Sequence, residues 1–265
     1  MSKAVLRRKI SPRVLNGHPW VFANEIESVD PSVQDADILS LYTHDGRFVG
    51  QGYYNSRSQI RVRLLTRDPK AQIDDRYFLQ EIERCWDYRK KLGYTENCRL
   101  VFGEADGIPQ LIIDKFNDYF VIQTLARGID RWKPALVKAL ETVFNPKGIY
   151  ERNDVPVREL EGLPQQKGFL SAPFDTRIQI KENGLKFHVD LDQGQKTGYF
   201  LDQQDNRRAI QHIVKDAEVK EKLVPKVIEL LKMDTERIKI SKNISKLANT
   251  DADDLVADEI LSALS

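Results

Sequence analysis

The glycines and aromatics of this chain stop abruptly. All 14 glycines lie at or before Gly198, and no Phe, Tyr or Trp follows Phe200. Tight turns, close backbone approaches and loops wrapped around a ligand generally call for glycine, because only a residue without Cβ enters left-handed backbone freely. Residues 1–200 can therefore build curved sheets and tight loops. Beyond them the pattern changes in kind: EKLVPKVIELLKM, DTERIKISKNISKLA and DADDLVADEILSALS, within residues 219–265, each set apolar residues at helical spacing and read as short amphipathic helices.

Residues 1–70 read as a small, curved β structure. KAVLRRKI is a strand, and SPRVLNG is a short helix with Ser11 at its cap, Pro12 in its first position and Gly17 as its stop. HPWVFANEI, DILSLYT, RFVGQGYYN and QIRVRLL follow as further strands, with a hairpin turn at Asp45-Gly46. Short strands at close spacing, with Gly50 and Gly52 inside one of them, predict a curled barrel.

Charge is lopsided in the same segment. Lys3, Arg7, Arg8, Lys9 and Arg13 all precede the first acid, Glu25, and His18 and Trp20 follow closely. Cations beside π-faces are what looped or single-stranded RNA requires, the cations for phosphate and the rings for bases. A solvated basic surface with Trp20 and Phe22 in the core accounts for the residues equally well, and HPWVF belongs with packing rather than with base stacking.

Residues 71–190 are α+β material, a sheet with helices on one side. Asp74 and Asp75 open a long helix that Gly93 stops, and the stretch from Cys98 to Leu125 reads as three strands with turns at 106–109 and at Asn117-Asp118. A helix over 130–144, a strand at GIYERND and a hairpin tipped by Asn183-Gly184 complete it. Glu104, Asp106 and Glu151 resemble acid–base candidates, but a Glu-Ala-Asp-Gly turn is explained by turn chemistry alone. In GQKTGYFLDQQDNRRAI, residues 194–210, the local reading is a strand, a Lys-Thr-Gly turn and a helix. Asp202 is its expected cap, and Asp205 lies near the positive end of its dipole.

Several classes are disfavoured. The net charge is +1, so charge must be judged locally. Cys85 and Cys98 make no disulfide framework and show no metal-ligand spacing; they read as small buried hydrophobes, and with no signal-peptide pattern they fit a reducing cytoplasm. No metal site is expected, and no apolar run approaches the roughly 20 residues of a membrane span.

Five landmarks fall in order along the chain: GHPWVF at 17–22, GQGYYNSRSQIRVRLL at 50–65, VFGEADGIPQLIIDKF at 101–116, GIYERNDVPVRELEGL at 148–163 and DQGQKTGYFLDQQDNRRAI at 192–210. Together they resemble the class I S-adenosylmethionine-dependent RNA methyltransferases of the large-subunit ribosomal RNA cytosine-C5 type, over about residues 1–218. The resemblance implies a PUA-like RNA-binding barrel at 1–70, a central α+β domain at 71–190, and the incomplete start of a Rossmann-like methyltransferase domain at 191–218, with an unrelated helical tail at 219–265. Within that barrel, Lys3, Arg7, Arg8, Lys9, Arg13 and His18 are the RNA-contact candidates that the local charge suggests. The resemblance also places Lys196, Thr197, Tyr199, Phe200, Asp202 and Gln203 beside S-adenosylmethionine; Gln204 stands where the family commonly has Arg.

A working enzyme of this kind needs a glycine-rich cofactor turn, an acid for the ribose and a cysteine whose thiolate adds to C6 of the base. None is legible after Gly198, so no catalytic residue is assigned, and the expectation is an RNA-binding, catalytically incomplete chain that does not itself hold the methyl donor. The alternatives are an active methyltransferase completed by a partner chain, or a protein whose helical tail recruits a partner.

Overall fold

Gly52 cannot carry a side chain where it sits: a Cβ there would lie 2.0 Å from the Arg63 carbonyl oxygen, and one on Gly50 would lie 2.7 Å from that of Thr66. These two close approaches curl the first sheet. The structure is a computed structural model that describes residues 2–9 and 12–213. The expected Ser11 cap, the stretch 214–218 and the helical tail of 219–265 lie outside the described residues. Two units are distinguished, Met1–Asp205 and Asn206–Ser265.

The first sheet contains β1 (Lys3–Leu6), β2 (Trp20–Phe22), β3 (Ile26–Val29), β4 (Ile38–Tyr42), β5 (Phe48–Tyr54) and β6 (Ile60–Thr66), with α1 (Pro12–Leu15) between β1 and β2. The strand order is β2-β6-β5-β4-β1-β3, antiparallel except for the β1–β4 pair. Register shifts at Leu41/Tyr42 and Gln51/Gly52 add the local twist that bends the sheet. The enclosed core includes Leu6, Val14, Val21, Leu39, Leu41 and Val62. Trp20 and Phe22 stay only half-buried. Trp20 instead donates its indole N–H to Glu104 Oε1 at 2.6 Å, and Phe22 lies under the Arg13 guanidinium, 4.6 Å from the ring centroid.

Next comes α2 (Asp75–Lys91), capped by Asp74, whose carboxylate accepts from the Tyr77 backbone N–H at 2.9 Å. Gly93, at φ +87°, ends it. Three antiparallel strands follow: β7 (Asn97–Phe102), β8 (Leu111–Phe116) and β9 (Tyr119–Thr124). The single helix predicted over 130–144 is two helices, α3 (Arg127–Arg131) and α4 (Lys133–Phe144), which meet at Trp132. Pro134, in the first turn of α4, disfavours helical backbone just before it, so the new start falls there. β10 (Gly148–Asn153) pairs parallel to β9; α5 (Val157–Leu160) and the edge strand β11 (Gln166–Phe169) come after it. The sheet order is β11-β10-β9-β8-β7.

Side-chain alternation divides this sheet into two faces. Ile113, Phe120, Ile122 and Ile149 face the core formed with α2 and α4, while Phe116, Val121 and Tyr150 face the other way. The second face is not open. It is covered by the hairpin of β12 (Arg177–Glu182) and β13 (Leu185–Asp190), through Ile178, Ile180 and Val189, and by Leu191 and Leu201. The expected Asn183-Gly184 tip is present, both residues in left-handed backbone at φ +49° and +84°. Helices thus lie on one side as predicted, and a separate hairpin shields the other. Last is α6 (Gln204–Ile213).

Candidate functional site

The segment 190–205 is a tight loop built on the hairpin side of the central sheet. Asp190 starts it: its carboxylate accepts from the backbone N–H groups of Asp192 and Gln193 at 2.9 and 3.0 Å, and its carbonyl accepts from Gly194 at 2.9 Å. A Cβ on Gly194 would stand 2.4 Å from the Gly198 carbonyl oxygen, so the loop can close only with glycine there. Arg152 on β10 donates to the carbonyls of Leu191 and Gly194, both at 2.9 Å. Lys196 then adopts left-handed backbone at φ +54°, sparsely populated for a residue with a side chain.

That turn aims Thr197 inward and Lys196 outward. Thr197 is fully buried, and its hydroxyl donates to Asp114 Oδ2 at 2.5 Å. Asp114, itself fully buried on β8, also accepts two parallel bonds at 3.0 Å from Arg99 of β7, its cross-strand neighbour. The exposed Lys196 ammonium reaches Asp202 Oδ2 at 3.0 Å and lies 4.5 Å from the Phe200 ring centroid. Arg99 approaches the same Asp202 oxygen at 3.8 Å and stacks over Phe102, 5.2 Å from its centroid. Partial burial raises the Asp202 carboxyl, but the Lys196 hydrogen bond and the Arg99 charge outweigh it and hold the group below its ordinary value.

The expected cap is corrected here. The chain makes a 3₁₀ turn over Leu201–Gln203 before α6 begins at Gln204, so Asp202 sits inside that turn and pairs with two cations instead of capping the helix. Of the six residues placed beside the methyl donor, Thr197 faces into the protein. Lys196, Asp202 and Gln203 are exposed, and Tyr199 and Phe200 are half-buried. Tyr199 packs on Phe187 with ring centroids 5.5 Å apart.

The six RNA-contact candidates separate in the same way. Lys3, Arg7, Arg8 and Lys9 are exposed. Arg13 is engaged by the fold: it pairs with Glu25 at 2.7 Å and donates to the Trp20 carbonyl at 2.9 Å. His18 accepts the Trp20 backbone N–H at its Nδ1, 3.1 Å away. Glu104, Asp106 and Glu151 are structural: Glu104 holds Trp20, Asp106 pairs with Arg89 at 2.5 Å, and Glu151 pairs with Lys133 at 2.7 Å. Cys85 and Cys98 are free and buried, and burial pushes each thiol up to about 12, so neither offers a thiolate.

Three residues that hold this region together carry no mark in the sequence. Arg99 and Asp114 hold the Thr197 turn. Glu161, just after α5, is buried and accepts from Arg63 Nη2 and Nη1 at 2.7 and 3.2 Å, from Ser58 at 2.6 Å and from Asn55 at 2.8 Å. It fastens the curled sheet to the central α+β region. Nothing in Glu-Gly-Leu announces such a role; in the sequence only Arg63, a cation inside the apolar-rich run of β6, hints at a partner. Among the described residues no cluster of His, Cys, Asp and Glu could hold a metal, and no helix is long and apolar enough to cross a membrane.

Comparison with known proteins agrees with this layout. A family model of PUA-like domains matches residues 4–67. The chain is similar to the ribosomal RNA large subunit methyltransferase I of Aeromonas salmonicida, 38% identical over 202 residues, covering 74% of this chain and 51% of that protein. It is also similar to those of Pseudoalteromonas atlantica and Escherichia coli, 36% and 34% identical over 222 and 221 residues, each covering 82% of this chain and 56% of the relative. The chain thus spans about half the length of the curated relatives it matches. Among solved structures, a provisionally named SAM-dependent methyltransferase of Streptococcus mutans shares the fold with a TM-score of 0.62 at 21% identity, covering 78% of this chain and 53% of its own. A methyltransferase solved with SAH superposes with a TM-score of 0.64, also at 21% identity, covering 78% and 52%.

Proposed function

The chain carries a PUA-like domain and resembles, across most of its length, the ribosomal RNA large subunit methyltransferase I family; on that premise we propose that it supplies the RNA-recognition part of a ribosomal RNA methyltransferase. The observation that carries this reading is the buried tie of Thr197 to Asp114 and Arg99, which fixes a cofactor-side loop to the same unit that holds the PUA-like sheet. Recognition and cofactor approach are then joined through one rigid path: curled sheet, Glu161, central sheet, Asp114, Lys-Thr-Gly loop.

The residues on that loop suit S-adenosylmethionine in part. The donor is a cationic sulfonium nucleoside with an amino-acid end. Phe200 already accepts a cation on its face, Asp202 presents a carboxylate held ionised, and Lys196 presents an ammonium to an anionic end. Thr197 cannot touch the donor while its hydroxyl is buried against Asp114, so its work is to aim Lys196 and Phe200. When bound, the donor supplies an activated methyl group. The substrate atom, by the same resemblance, is carbon 5 of a cytosine in large-subunit ribosomal RNA. Methylation there requires a thiolate that adds to C6, and neither Cys85 nor Cys98 provides one. The described residues therefore bind and orient; they do not transfer.

The test is to incubate the chain with methyl-labelled S-adenosylmethionine and protein-free large-subunit ribosomal RNA, scoring RNA retention and label separately. Retained RNA without label is expected. Label in the RNA would overturn the catalytically incomplete reading, and absence of retention would overturn the recognition role.

A further inference from the structure

The curled sheet carries a concavity of about 360 Å³, ample for a small anion and its water, and three arginines line it. Arg7 and Arg8, just after β1, and Arg47, in the turn between β4 and β5, line it together with Thr43 and His44. Arg47 was not among the RNA-contact candidates read from the sequence. Its backbone is rigidly placed: Thr43 donates its N–H to the Arg47 carbonyl at 2.8 Å, and the Arg47 N–H donates to the Thr43 hydroxyl at 3.0 Å. Gly46, at φ +84°, permits the tight turn.

Three arginines face one carboxylate in this lining, Asp45, whose charge Arg47 feels at a distance without an ion pair, so the recess keeps a positive excess. Glu25 is buried against Arg13 at 2.7 Å and accepts the Phe22 N–H at 2.8 Å. Glu27 pairs with His44 Nδ1 at 2.7 Å. Asp45, the single acid in the lining, accepts a hydrogen bond from the Thr43 hydroxyl. Among the described residues none of the three guanidiniums has a side-chain hydrogen bond or an ion pair, and all three residues are exposed. Three guanidiniums lining one recess supply the charge and the fork donors that a phosphate group takes, since guanidinium binds phosphate through parallel hydrogen bonds.

We propose that the recess between Arg7, Arg8 and Arg47 is a phosphate-binding site that grips the RNA backbone. The inference rests on the RNA-recognition reading above and adds a subsite and a residue to it. Contacts of this type position the nucleic acid without reading its sequence. Arg47 therefore sets register, and the bases are read elsewhere.

The experiment uses the full chain, its Arg47→Ala and Arg47→Lys variants and an Arg7→Ala/Arg8→Ala variant, with two probes: a transcript of large-subunit ribosomal RNA followed by fluorescence anisotropy, and inorganic phosphate followed by NMR. Since the Arg47 side chain holds nothing in place, its removal leaves the fold intact, which circular dichroism checks. Each lost arginine is expected to weaken RNA binding about 3- to 10-fold regardless of sequence and to reduce the slope of log K against log salt by roughly 0.7–0.9. Arg47→Lys is expected to restore the slope but only part of the affinity. RNA bound by every variant with unchanged affinity and slope overturns the proposal and leaves the RNA reading standing. If the parent chain binds no RNA, the RNA reading falls. Phosphate-induced shifts at the Thr43 and Gly46 amides that are lost in Arg47→Ala would then keep the recess as a phosphate site, and their absence in the parent chain would overturn that too.

Discussion

Asp114 and Thr197, 83 positions apart, share a 2.5 Å hydrogen bond between two fully buried side chains. The carboxylate also carries both bonds from Arg99, so one buried charge anchors the Lys-Thr-Gly loop to the central sheet. Thr197→Val keeps the shape and removes the hydroxyl; it is expected to cost about 1–3 kcal/mol, the usual cost of an unmet bond to a charged group. Asp114→Ala leaves Arg99 with only the longer 3.8 Å contact to Asp202 and is expected to cost about 3–5 kcal/mol. Urea unfolding of both variants and of the double variant measures these values. The double variant should fall well short of their sum, because both changes break the same network.

Glu161 makes a parallel prediction for the curled sheet. It satisfies Arg63, Ser58 and Asn55 together, and both its own side chain and that of Arg63 are about 5% exposed. Glu161→Ala is expected to destabilise the chain by about 3–5 kcal/mol, read as a lowered midpoint in thermal unfolding. Combining Glu161→Leu with Arg63→Met is expected to recover part of that loss, since an apolar pair of similar volume removes the orphaned charge.

How much of this was legible beforehand follows from what sets each feature. The turns at Asp45-Gly46 and Asn183-Gly184 were legible because left-handed backbone restricts the residue type, and the curl was legible from Gly50 and Gly52. The Asp74 cap and the Gly93 stop were legible for similar local reasons. α5 and β11 were not, being four residues each and lacking a full period of hydrophobic pattern. The break at Trp132 went unseen although Pro134 marks it. Asp114 and Glu161 were invisible because a buried carboxylate owes its role to partners brought in by tertiary folding, up to 106 residues away for Glu161. A place for the Lys-Thr-Gly loop beside a cofactor is implied by the family resemblance alone. The structure explains how that loop is held.

Acid stability offers a third check. Asp192 accepts from the Tyr150 hydroxyl at 2.7 Å and pairs with Lys167 at 2.9 Å, and the Tyr150 hydrogen bond above all lowers its carboxyl from 3.8 to about 2. A carboxyl depressed in the folded state contributes stability that is present above its unfolded value and is lost as the pH falls through its folded value. Urea midpoints of the parent chain should therefore drop between about pH 4 and pH 2. Asp192→Asn should be less stable at neutral pH and show a shallower drop over that window.

Gly128 tests the packing that joins the curled sheet to the first helix after β9. A Cβ there would stand 2.1 Å from the Tyr53 ring, which is itself buried and donates its hydroxyl to the Pro109 carbonyl. Gly128→Ala is expected to cost at least about 1–3 kcal/mol by overpacking, seen in thermal unfolding. Relief by Tyr53→Leu in the same chain would identify the clash as the cause.

The central claim is that this chain recognises ribosomal RNA through a cationic face, and it is tested most directly by measuring affinity for a large-subunit ribosomal RNA transcript across about 50–200 mM salt. The account predicts a straight line of negative slope in log K against log salt, corresponding to the release of several counterions. An affinity that does not change with salt, or no measurable binding at the lowest salt, would contradict it.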